Sequence, residues 1–301
     1  MHSSKLSQKS YKKSFSKSNT LKNSTSFSNI VKTCKKYTKF NYCQDKSSSG
    51  HQGAILSTGK NTCLKKVSKI NNEIKFYNEY NLLKQKNISV LNKFIPKYDG
   101  ICELNNNNYF IMKNLKGTFE QPLAIDIKIG YKTISKKILK QKKLKYFNTK
   151  KKKIKHFVLD SIITPSGKYG FRIEGVSLPN NIKFSKFNIM NSKFEKIFDY
   201  YFQNDKNNIA LKSFIENLKF LYNDIKSADF NRFYFVGASI LFIYDGFNSL
   251  INPVLKLIDF ENSLILHDTE KINNNIKHAI KWRNAIKSLI NILENYLDKK
   301  K

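Results

Sequence analysis

Acidic residues are scarce in this sequence. Its 301 residues include 22 Asp and Glu against 55 Lys and Arg, a formal net charge of +33, and the first acid is Asp45. Such a surplus implies an anionic partner (nucleic acid, an acidic membrane or a polyphosphate) and strong salt dependence. Composition does not choose among these, and coding bias, which also produces chains rich in Lys, Asn and Ile, dilutes the inference. Cysteine is sparse as well. Cys34, Cys43, Cys63 and Cys102 have no paired short spacing and no accompanying histidine cluster, which argues against a zinc site and for reduced thiols in a cytosolic or nuclear protein. The longest apolar run, around Phe233 to Tyr244, is too short and interrupted to span a bilayer, so no transmembrane segment is expected. No secretory apolar region follows Met1, and a Ser- and Lys-rich targeting arm is the lesser reading of the acid-free start. The chain is long enough to bury a sizeable core, as one large domain or as two lobes sharing a cleft.

The stretch around which the rest is organised is Pro122-Leu-Ala-Ile-Asp126-Ile-Lys128-Ile-Gly130. Leu123, Ile125, Ile127 and Ile129 alternate with Ala124, Asp126 and Lys128, the period of a half-buried strand. Pro122 can begin a strand without losing a ladder hydrogen bond, and Gly130 lets the chain turn out of it. Asp126 and Lys128 then stand side by side on the face opposite the isoleucines, a carboxylate and an ammonium suited to handling a hydroxyl and a phosphate together. Taken alone, the same pattern describes a surface strand with a local ion pair.

Other parts stand in order around it. Residues 1–30 are Ser, Lys and Asn with scattered apolars, and are expected to be a disordered basic tail. Gly50-His51-Gln-Gly53 reads as a turn. Thr62 to Val67 reads as a strand, followed by a helix from Asn72 through Glu73, Ile74, Tyr77 and Tyr80. A strand lysine, Lys65 or by a one-residue change of register Lys66, followed by a helix glutamate, Glu73, is how kinases hold nucleotide phosphates. Ile95 to Gly100 reads as a turn and Tyr109 to Leu115 as a strand. Twelve lysines fall between Lys132 and Lys155, with no acid from Tyr131 to Leu159. Lys136, Lys140 and Lys143 would share one helix face, where like charges repel unless a phosphorylated ligand reverses the sign. A solvated charge run or a nucleic-acid patch is the alternative. Helices are expected near Ser192–Phe202 and Asn208–Ser227, the latter with a core face of Phe214, Ile215, Leu218, Tyr222 and Ile225. Asn231 to Gly246 reads as a buried strand pair with a turn. Pro253 to Phe260 is a strand whose terminal Asp259 is placed either to hold magnesium or simply to form a turn. Asp268 is expected to cap a last helix with Ile272, Ile276, Ile280, Leu289 and Leu293 toward the core.

Pro-x-x-x-Asp-x-Lys-x-Gly resembles the signature of the inositol polyphosphate kinase family, which comprises the trisphosphate kinases, multikinases and hexakisphosphate kinases. Leu64-Lys65, Glu73-x-x-Phe76-Tyr77, Tyr109 to Leu115, Gly170-Phe-Arg172-Ile-Glu-Gly175, Arg232-Phe-Tyr, Ser239-Ile-Leu and Ile258-Asp259-Phe260 resemble further family segments in family order. Two departures stand out. Lys113 replaces the acid of the hinge strand, and Glu261-Asn262 follows Ile-Asp-Phe where the family often has Ala-His.

The resemblance implies an α+β, two-lobed kinase-like fold, with an antiparallel N-terminal sheet and a larger C-terminal α/β lobe. The expected division is a tail at 1–30, an N-lobe at 31–117 and a C-lobe at 118–301 with a basic substrate-binding insertion at 131–160. It implies an ATP-dependent inositol polyphosphate kinase using ATP and Mg2+, multikinase-like, with trisphosphate and hexakisphosphate acceptors both open. By the same resemblance Lys65 and Glu73 serve the nucleotide phosphates, and Lys113 and Leu115 hold adenine through the main chain. Asp126 anchors the ribose, Asp259 with Ser239 holds the metal, and Lys128 neutralises transferred charge. Lys128, Lys132, Lys136, Lys140 and Lys143 would meet the inositol phosphate. A monomer in cytoplasm or nucleus, with nonspecific polyanion contacts, is expected. The competing reading is a non-catalytic basic binding module, an inactive kinase fold for nucleic acid or acidic phosphoinositide membranes.

Overall fold

The computed structural model describes residues 61–67, 72–88, 90–104, 107–131, 166–178, 194–248 and 251–301, together with the backbone of short strands at 31–33, 41–42 and 55–57. The tail at 1–30, the turn at 50–53 and the lysine-rich stretch carrying Lys132, Lys136, Lys140 and Lys143 lie outside these residues.

Six strands make the first sheet: β1 (Val31–Thr33), β2 (Asn41–Tyr42), β3 (Ile55–Ser57), β4 (Thr62–Val67), β5 (Tyr98–Leu104) and β6 (Asn107–Lys113). Their order is β1-β5-β6-β4-β3-β2, antiparallel except for the parallel β1–β5 pair at one edge. Helix α1 (Asn72–Gln85) leaves β4 and buries Ile74, Phe76, Tyr77, Tyr80 and Leu83. This spacing keeps one helical face apolar. The segment expected to be a turn at 95–100 is instead partly strand. Tyr98 to Gly100 belong to β5, whose register slips there, and Gly100 at φ 111° occupies a conformation closed to side-chain-bearing residues.

The remainder comprises β7 (Pro122–Ile129), α2 (Ser166–Tyr169), β8 (Phe171–Ser177), α3 (Phe194–Tyr201), α4 (Ile209–Asp224), β9 (Phe233–Tyr234), β10 (Ser239–Asp245), β11 (Val254–Ile258), β12 (Leu264–Ile265) and α5 (Thr269–Lys299). An antiparallel second sheet runs β11-β10-β7-β8, and β9 pairs with β12. Strand β7 matches the expected signature strand. Buried Asp245 fixes its entry by accepting the backbone N–H groups of Glu120 at 2.7 Å and Gln121 at 3.2 Å. The main hydrophobic core runs from Val67 and α1 through the second sheet to Tyr296, beside two smaller clusters. At its middle, Phe76 of α1 stacks on Phe260 with ring centres 4.2 Å apart. No helix among the described residues is long and apolar enough to cross a membrane.

Three further expectations change. Residues 231–246 are not a strand pair: β9 joins β12, while β10 lies between β7 and β11. Between β9 and β10, Phe235, Val236 and Ala238 are buried and Gly237 takes φ 71°. Helix α5 is correctly capped, Asp268 accepting the N–H of Lys271 at 3.0 Å, but Ile276 and Ile280 are 39% and 44% exposed. Leu289 lies nine residues beyond Ile280, or two and a half turns, and so about 180° around the helix. The buried seam instead passes through Asn275, Ala279, Trp282, Ile286, Leu289 and Leu293. Finally, Cys63 is a buried free thiol, but Cys102, expected to be reduced, is disulfide-bonded.

Candidate active site

Strand β4 presents Lys65 toward α1 and leaves Lys66 exposed, as alternation requires, which decides the register in favour of Lys65. Lys65 Nζ donates to Glu73 Oε2 at 2.8 Å and to Asp259 Oδ1 at 3.4 Å. Residues 194 positions apart in sequence thus meet at one ammonium. Glu73 is 3% exposed, at the first turn of α1. Burial alone would pull the Lys65 ammonium down, but Glu73 and Asp259 outweigh it and hold the pKa above the ordinary lysine value. Burial pushes Glu73 up, and Lys65 pulls it back only in part.

Asp259 directly follows β11 in the left-handed region, φ 63° and ψ 58°. Asp tolerates that region better than most residues. Its side chain heads a short 3-10 turn at Phe260–Asn262 without capping it, and is 44% exposed. The carboxylate therefore projects from the strand end instead of closing a local turn.

The register of the second sheet sets the floor of the site. Directly paired residues on adjacent antiparallel strands share a face. One row crosses the sheet as Ile258, Ser239, Lys128 and Arg172, and the next as Lys256, Leu241, Asp126 and Gly175. The slip in register between Asp126 and Ile127 gives β8 one extra residue. On that strand Arg172 Nε donates to Glu174 Oε2 at 3.0 Å. Burial, then the nearby Asp259 charge, pushes the Asp126 carboxyl up to about 6, while Lys128 and the Ser239 hydroxyl pull it back and Glu174 adds to the rise. Ser239 is 0% exposed, and its hydroxyl is directed at the Asp126 carboxylate.

Lys113 and Leu115 lie where the first sheet gives way to β7. The Lys113 N–H is directed at the Lys97 carbonyl, 3.4 Å away, and its side chain is exposed. Leu115 and Leu241 both pack on the small cluster of Phe119, Ala124 and Ile243. Among the described residues no three His, Cys, Asp or Glu side chains are grouped to hold a metal ion unaided. Asp259 with Ser239 fits a magnesium ion that takes its other ligands from water and phosphate, the usual habit of that ion.

Sequence reasoning missed Arg172, Glu174 and Lys256 as members of this face. Lys256 is partly buried, its Nζ donates to the Lys93 carbonyl, and burial together with Lys113, Lys93 and Lys84 lowers its pKa. Counting back by two from Ile258 would have placed it on the face of Asp126 once the register was known.

Comparisons with known proteins point to one family. A family model described as inositol polyphosphate kinase matches residues 109–294. The chain is 23% identical over 286 residues to inositol-trisphosphate 3-kinase A of Rattus norvegicus, covering 83% of this chain and 59% of that protein. It is 23% identical over 252 residues to the same enzyme of Mus musculus, covering 75% and 52%. The chain thus spans between 52% and 59% of the length of these curated relatives. In fold it is similar to the inositol phosphate multikinase Ipk2 of S. cerevisiae, solved with ADP and Mn2+, at TM-score 0.57 and 20% identity, covering 79% of this chain and 99% of that one. A second multikinase structure gives TM-score 0.52 at 18% identity, covering 72% and 97%. With a family match over most of its length and the signature Asp126 and Lys128 on the sheet floor, the chain belongs to the inositol polyphosphate kinase family.

Proposed function

We propose that the protein transfers the γ-phosphate of ATP to a hydroxyl of an inositol phosphate, with magnesium as the metal. One observation carries the reading: Lys65 bridges Glu73 and Asp259 at 2.8 and 3.4 Å. Asp126 and Lys128 belong to the adjoining sheet, joined to β11 through β10. Phosphoryl transfer asks a protein chiefly for positioning and for neutralisation of charge, and these groups supply both.

In this reading Lys65 binds nucleotide phosphates and Glu73 keeps its ammonium aimed at them. Asp259 would hold the magnesium ion with Ser239, and the ion supplies charge neutralisation on phosphate oxygens when bound. Asp126, with its raised pKa, accepts hydrogen bonds from ribose hydroxyls and stays mostly ionised at neutral pH. Lys128, two residues along and beside Ser239, neutralises charge on the transferred group and on the acceptor. Leu115 and Leu241 enclose adenine between them, and the main chain at Lys113 to Leu115 reads its edge.

The test is turnover of ATP and magnesium against a panel of inositol phosphates, with products mapped by NMR. Phosphorylated inositol product supports the reading. Binding of RNA or phosphoinositide vesicles with no turnover of any acceptor refutes it in favour of a non-catalytic module.

A further inference from the structure

Beyond the end of β7 lies a cavity of about 220 Å³, lined by Gly130, Tyr131, Asn274, Lys277, His278, Lys281 and Trp282. None of its α5 residues was singled out by the sequence. That leaves room for a phosphate group with the carbon that bears it.

Its wall has the chemistry of an anion site. Asn274, Lys277, His278 and Lys281 recur at three- and four-residue steps along one face of α5. Neither Lys277 nor Lys281 forms an ion pair among the described residues, and cations four apart on a helix repel one another until an anion lies between them. Trp282 is 1% exposed, and its indole Nε1 donates to no acceptor. A buried donor in that state lacks the partner such groups almost always have. The wall is also firmly held. His278 Nε2 lies 2.6 Å from the Phe235 carbonyl, and Gly170 packs so closely on Tyr131 and Ala285 that an added Cβ would come within 2.7 Å of Ala285.

The cavity adjoins the end of the signature strand. Gly130 is two residues past Lys128, a step of roughly 7 Å along a strand. The preceding Ile129 N–H donates to the Ala238 carbonyl at 3.0 Å, next to Ser239.

We infer that this cavity is a phosphate subsite, in which Lys277 and Lys281 hold a phosphate group while the Trp282 wall bounds it. Its place just past the end of the signature strand makes a ring-borne phosphate of the acceptor the expected occupant. That identification rests on the proposed function, whereas the site itself does not.

Trp282 is the chain's single tryptophan, so its fluorescence reports on this wall directly. The full chain is titrated without nucleotide, separately with inorganic phosphate and with inositol hexakisphosphate, and the same is done for the double variant Lys277→Gln/Lys281→Gln. Saturable change in Trp282 emission, weakened at least tenfold in the double variant, is expected. A tighter response to inositol hexakisphosphate than to inorganic phosphate identifies the ring-borne group, and an equal response assigns free phosphate; both support the site. A silent tryptophan, or a response the double variant leaves unchanged, overturns it. Turnover separates this from the functional reading: a wild type that phosphorylates inositol phosphates with a silent Trp282 defeats only the subsite, and a responsive Trp282 in a chain without turnover defeats only the kinase reading.

Discussion

Asp126→Asn should stabilise the fold and abolish turnover together. Burial and Asp259 raise the Asp126 pKa from 3.8 to about 6 in the folded chain. A rise of that size corresponds to ~3 kcal/mol of folding free energy lost when the group is ionised, an upper figure because the residue is only partly buried. The sign follows from proton binding. Between pH 3.8 and about 6 the folded chain keeps a proton that the unfolded chain has lost, so stability falls as pH rises through this window. Below it both states are protonated and the substitution gains nothing; above it the full penalty is present and Asn removes it. Urea unfolding at pH 8 should therefore show Asp126→Asn more stable than wild type, by up to ~3 kcal/mol, at unchanged slope. The gain should vanish near pH 4. A loss of stability at pH 8, or a gain of the same size at both pH values, refutes the assignment of a strained carboxylate to this site.

Lys65→Met leaves Glu73 buried without its ammonium and should cost about 3 kcal/mol at neutral pH, as truncating one member of a buried pair does. The loss should shrink toward pH 4 as Glu73 takes up a proton, and ATP binding measured by calorimetry should disappear. On α5, Ile280→Ser should change stability by no more than ~0.5 kcal/mol. Leu289→Ala should cost ~2–5 kcal/mol in the same unfolding assay, because only Leu289 lies on the buried seam.

The legible parts of the chain were those whose chemistry is written in one short stretch. Alternation alone defined β7, and the polar pair Asp126 and Lys128 stands where alternation puts it. Glu73 and Asp259 each sit at an element boundary marked by a change of hydrophobic period, Lys65 stands inside β4, and the fold brings the three to one point. What was not legible depends on partners far away in sequence. The β9–β12 ribbon consists of two-residue strands, too short to carry any period. Lys256 becomes a member of the site only through the pairing of β11 with β10. Ile276 and Ile280 look like core residues because they are apolar at four-residue steps, yet each such step drifts about 40° around the helix. The cavity beside Trp282 is likewise invisible in sequence, since β7 and α5 meet there from distant stretches of the chain.

Single-turnover transfer from ATP to an inositol phosphate, comparing wild type with Lys128→Ala, tests the central claim most directly. The account predicts transfer by wild type, and loss of transfer in a variant that unfolds at the same urea midpoint. Undiminished transfer by Lys128→Ala would contradict it.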